Sequence, residues 1–103
     1  MSQAPRAHQE FVQRYPEIGK AWELLQQAGE AGPLDARTRR LVKLAIAVGA
    51  LREGAVHSAV RKAHAAGVGR AEMEQVVALA ASTIGLPSAV AAYCWLKDEL
   101  EPK

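Results

Sequence analysis

The stretch "LREGAVHSAVRKAHAAG", positions 51–67, gathers the groups most able to do chemistry: Glu53, His57 and His64, with Arg61 and Lys62 between them. Glu53 and His57 stand at i and i+4, so a helix brings a carboxylate and an imidazole together, where they could exchange a proton or share a cation. The same spacing describes an ordinary surface pair. His57 and His64 share a helical face, yet seven residues at about 1.5 Å per residue part their Cα atoms by about 10.5 Å. One ion held by both rings at about 2 Å would strain both side chains toward the midpoint. Arg61 and Lys62 would also repel it. No metal site is expected, and Glu53 and His57 remain as the catalytic candidates of this stretch. Cys94, between Tyr93 and Trp95, falls late in a helix, where the dipole opposes a thiolate; it is expected as a small buried hydrophobe. Trp22 and Trp95 read as core or interface anchors. With no glycine-rich phosphate loop and no Ser/His/Asp pattern, no cofactor is expected.

The elements that must carry these groups are helices throughout. Period-2 alternation and Asn-Gly turns are missing, while apolar residues recur at helical spacing. A short helix is expected over Ala7 to Arg14. Pro16 opens a second, with Ile18, Ala21, Trp22 and Leu25 on one face, stopped by Gly32-Pro33. Asp35 reads as the N-cap of a third, which runs to about Gly49 or Leu51. That helix carries two apolar stripes, Leu41, Leu44, Ala45 and Val48 on one side and Val42, Ile46 and Gly49 on another. A helix apolar on two sides needs cover on two sides, which points to another subunit. A fourth helix spans Glu53 to Ala66, with Gly67 as its left-handed stop. A fifth, Arg70 to Ile84, buries Met73, Val76, Val77, Ala80, Ala81 and Ile84. Gly85 ends it, and Pro87 opens the last, which turns Leu86, Ala89, Val90, Tyr93, Leu96 and Leu100 inward. The expected fold is an all-α bundle of about six helices.

At 103 residues the chain reads as one domain, half of it hydrophobic, with only two Trp, two Tyr and one Phe. Such a chain buries only about 60–65% of its unfolded surface, so an alanine-rich core favours an oligomer over a lone monomer. The net charge of +2 is small and its basic residues are dispersed, unlike the clustered stripe of a nucleic-acid binder. One cysteine permits no internal disulfide and suits a reducing cytoplasm. No apolar run approaches the about 20 residues of a membrane span, and "MSQAPRAHQE" has no signal core.

The ordered segments "YPEIGKAWELL", "GPLDARTRRLVKLAIAVGALREGAVHSAVRKAHAAGV" and "AEMEQVVALAASTIGLPSAVAAYCWLKDEL" together resemble the carboxymuconolactone decarboxylase family, which includes the alkyl hydroperoxidase D-like proteins. The resemblance covers about Tyr15 to Leu100. Its most specific parts are the "L-D-x-x-T-R-x-L-x-x-L-A" helix start at Leu34 and the "G-x-P-x-A" turn at Gly85. It implies an all-helical fold assembling as a homo-oligomer, a trimer or hexamer. Decarboxylases of the family act on a lactone of aromatic catabolism, and its peroxidases use a Cys-x-x-Cys pair served by a histidine and a glutamate. Matched through Gly67, the two cysteines fall on Arg52 and Ala55, the histidine on Ala59 and the glutamate on Arg40. None of the four types is retained.

Positions 52, 55, 59 and 63 share one helical face at about 100° per residue. His57 lies about 200° from position 59 and His64 about 140°, so neither replaces the missing imidazole. The polar side is therefore expected as surface or subunit contact, and the reactive side as packing. A peroxidase cycle needs an attacking and a resolving thiol, which Cys94 alone does not supply within one subunit. The expectation is a divergent family member binding a small carboxylated ligand through Arg40 and Arg52. The alternatives are a non-catalytic interaction module and family-type activity from another set of residues.

Overall fold

The computed structural model describes residues 6–101, which form α1 (Arg6–Arg14), α2 (Pro16–Glu30), α3 (Ala36–Ala50), α4 (Glu53–Ala65), α5 (Arg70–Ile84) and α6 (Leu86–Leu100). No strand occurs among the described residues. The protein is all-α, with the six helices expected from periodicity. They group into two compact units, α1 with α2 and α3 through α6.

In the first unit, Pro16 opens α2 as anticipated, and the chain turns on Tyr15, whose N–H donates to the Phe11 carbonyl at 2.9 Å. The Phe11 and Tyr15 rings meet at 5.3 Å between centroids. Neither helix has a buried residue, so Trp22 is not a core anchor: it stays 43% exposed.

Local chemistry sets the ends of the other four helices. Asp35 caps α3 as read from sequence, its Oδ1 accepting the Thr38 N–H at 2.7 Å. α4 ends in a Schellman motif in which Gly67, at φ 87°, occupies the left-handed position. Its N–H donates to His64 O, and the Val68 N–H donates to Ala63 O, each at 3.0 Å. α3 closes the same way with Leu51 in the left-handed position, at φ 54°; Leu51 N–H donates to Val48 O at 3.0 Å and Arg52 N–H to Ala47 O at 3.3 Å. Glu72 accepts the Gly69 N–H at the start of α5 at 3.0 Å. It also pairs with Arg37 of α3. The Arg37 guanidinium first, and the Gly69 N–H second, hold the Glu72 carboxyl below the ordinary glutamate range.

Leu44, Val48, Val56, Val60, Ala63, Met73, Ala92 and Leu96 are fully buried, drawn from all four helices. The inward face of α5 follows the periodicity: Met73 and Val77 are buried, with Val76, Ala80, Ala81 and Ile84 packed beside them. Trp95 packs against the same core. Several expectations need correction. Ala45 is exposed because the buried stripe of α3 runs through Leu44, Ala47 and Val48. On α6 the buried stripe is Ala89, Ala92 and Leu96, which leaves Leu86, Val90 and Tyr93 on its flank, exposed rather than inward. Cys94 is exposed too, since two residues turn it about 200° from buried Ala92.

Candidate functional site

Two polar constellations lie on α4, on opposite flanks of its buried Val56–Val60–Ala63 stripe. The first contains the sequence candidates Glu53 and His57. Glu53 sits in the first turn of α4, and its Oε2 lies 3.4 Å from His57 Nε2. The partner that sequence reasoning missed is Glu99 of α6. Its Oε2 accepts from His57 Nδ1 at 2.7 Å and its Oε1 accepts from Arg61 at 3.3 Å. The Glu99 side chain is only 7% exposed, against 62% for Glu53. A carboxylate withdrawn from water needs its lone pairs satisfied, and a guanidinium and an imidazole from one helix do that.

For His57 alone this corrects the expectation of a solvated face; Glu53 and His64 are exposed as expected. Position 57 is one residue, about 100°, beyond Val56, so it stands at the border of the core stripe, where α6 packs. The His57 side chain is 22% exposed. The contact crosses 42 positions of sequence, and nothing local to either helix announces it. Chemically, an imidazole oriented at Nδ1 by a buried carboxylate can take or give a proton at Nε2. His64 takes no part and is exposed.

The second constellation is the face on which the family resemblance places the chemistry. α4 is unbroken from Glu53 to Ala65, so the rotational count holds. Ala63 is fully buried and Ala59 packs against the core, as expected of a face turned over to packing. Ala55 and Arg52 at the N-terminal end are exposed. Arg52 precedes α4 and forms no side-chain cap hydrogen bond. Arg40 is half-buried on α3. Neither arginine forms an ion pair with a described residue.

The same flank of α4 carries Lys62, which the sequence reading left out as a ligand group. Three residues place it within about 60° of Ala59, and seven within about 20° of Ala55, around the helix. Lys62 is half-buried. Burial, followed by repulsion from Lys43, Arg40 and Arg61, holds its ammonium below the ordinary lysine value of 10.5.

Elsewhere, a groove of about 540 Å³ runs between α5 and α6, lined mostly by apolar groups that include Val77, Ala78, Leu86, Ala89, Val90 and Tyr93. None of the candidate residues lines it. Among the described residues no group of three His, Cys, Asp or Glu is placed to hold a metal ion, and no helix is long and apolar enough to cross a membrane.

The family described as "Carboxymuconolactone decarboxylase family" matches residues 16–98. No curated protein and no solved structure matches the chain.

Proposed function

The chain belongs to the carboxymuconolactone decarboxylase family, and from that membership we propose a divergent member that binds a small carboxylated ligand without the family's catalytic chemistry. One observation carries the reading. Where the family resemblance calls for a glutamate, this chain has Arg40, half-buried and without a described counter-charge, and the matched face of α4 offers Arg52, Ala55 and Ala59. A face that lost its thiols, imidazole and carboxylate has no group to move a proton or attack a peroxide. It carries cations in their place, and a guanidinium can grip a carboxylate with two parallel hydrogen bonds. The exposed second stripe of α3, with Ile46 65% exposed, supports assembly as a homo-oligomer, and a lone cysteine suits the cytoplasm.

The His57–Glu99 pair favours a second reading, in which decarboxylation survives with His57 moving the proton and Glu53 beside it. One experiment separates the two. The protein is mixed with a carboxylated muconolactone, and both its Tm and the release of carbon dioxide are followed. The first reading expects no release and a stabilisation of about 1.4 kcal/mol at ten times Kd, lost in Arg40→Gln and reduced in Arg52→Gln. Turnover abolished by His57→Ala would establish the second reading in its place. Neither stabilisation nor turnover would end both.

A further inference from the structure

We infer that the groove between α5 and α6 binds a small amphipathic cation, its apolar body held between the helices and its ammonium head at the Glu74–Tyr93 end. The inference goes beyond the ligand-binding reading above and does not depend on it: it concerns another part of the fold and a ligand of opposite charge.

Gly85 alone joins α5 to α6, so the two helices run antiparallel. Arg70, the first residue of α5, accordingly meets Glu101, just past the end of α6, at 2.9 Å. The groove between them therefore has unlike ends. Ala78 and Leu86 line it toward Gly85, Ala89 and Val90 its middle, and Glu74 and Tyr93 its far end. Leu86 and Tyr93 are seven residues apart, about 10.5 Å along the helix. Leu86 marks the outer end, two turns from the polar one, and stays available to a neighbouring copy. The volume of about 540 Å³ is that of a small-molecule site.

The charge of the polar end selects the ligand. Glu74 is the one charged side chain that lines the groove. Its Oε2 accepts from Arg70 Nε at 2.8 Å, and no described residue donates to its Oε1. Arg70 is shared, because its other arm goes to Glu101. One guanidinium thus serves two carboxylates, and this end keeps one negative charge in excess. Lys97, one turn beyond Tyr93, is exposed and forms no ion pair with a described residue. An ammonium at Glu74 Oε1 would complete the balance with a charge-assisted hydrogen bond, and the Tyr93 ring offers it a π face. The body behind that head would take Val90, 50% exposed, out of water. An anion of the same shape would meet the excess charge instead.

The test titrates wild-type protein with 3-phenylpropylammonium, 3-phenylpropanol and 3-phenylpropionate at constant ionic strength, following the Ala78 and Val90 amides by NMR and the affinity by calorimetry. The ammonium should bind about tenfold tighter than the alcohol, or about 1.4 kcal/mol, and the carboxylate should leave both amides unmoved. Glu74→Gln should remove the tenfold preference while the alcohol binds as before, and Glu101→Gln should reduce it. Ala78→Phe, which fills the groove, should weaken ammonium and alcohol alike. Far-UV circular dichroism of each variant verifies folding. Equal affinities for ammonium and alcohol, or no movement of the two amides with any probe, would overturn the site. An equal loss in Asp98→Asn, an exposed carboxylate of α6 outside the groove, would reduce the effect to general charge and overturn it too. Lactone binding through Arg40 stands or falls separately, since Arg40 does not line the groove.

Discussion

At the scale of single residues, Glu99 decides more than either histidine. Its carboxylate is the most withdrawn charge of the α4–α6 contact, and His57 and Arg61 both spend a donor on it. Glu99→Gln keeps the shape, removes the charge and leaves the Arg61 guanidinium and the His57 ring facing an amide. The expected destabilisation is about 2 kcal/mol, within the range for hydrogen bonds to charged groups, read from the urea midpoint. In a His57→Ala background the same change should cost measurably less, because residues sharing one network do not add. A loss under about 0.5 kcal/mol would place the pair with solvent-screened surface bridges. Residue chemistry also limits what Cys94 can do. It is exposed, yet the chain holds no second thiol to resolve an oxidised sulfur.

At the scale of elements, the two Schellman closures invite comparison. Gly67 adopts φ 87° without steric cost, whereas Leu51 does the same work at φ 54° with a Cβ in the way. Leu51→Gly should therefore stabilise the protein, by about 0.5–1 kcal/mol once the greater freedom of glycine in the unfolded chain is set against the relieved strain. The Leu51 side chain is 42% exposed, so little packing is lost. Thermal denaturation measures the change, and a drop in Tm would mean that the leucine side chain matters more than its backbone. Gly85 is held more firmly. At φ 94° it ends α5, and α6 begins at the next residue, so a side chain there would strain both helices at once.

At the scale of the whole molecule, the pattern of exposure matters most. Ile46, Leu79 and Leu86 are each about two-thirds exposed, on helices whose opposite faces are buried. Copies of this chain covering those faces would account for a third helix that is apolar on two sides. Sedimentation at micromolar concentration should give a mass of at least three chains, and Ile46→Asp should lower it. A wild-type monomer would remove the assembly from the proposed function.

The amino-acid sequence by itself determined the six helices, the Asp35 cap, the Gly67 stop and the family. These depend on local rules: period, capping chemistry and the left-handed preference of glycine act within a turn or two of chain. It also determined that His57 and position 59 face apart, since an unbroken helix fixes that angle. Only the tertiary structure decided that Glu99 meets His57, that Arg61 shares that carboxylate, and that Tyr93 and Cys94 face outward. Each of these depends on which helix covers which side. Helical periodicity marks an apolar stripe to within a residue or so on either flank, and packing alone settles which flank is closed.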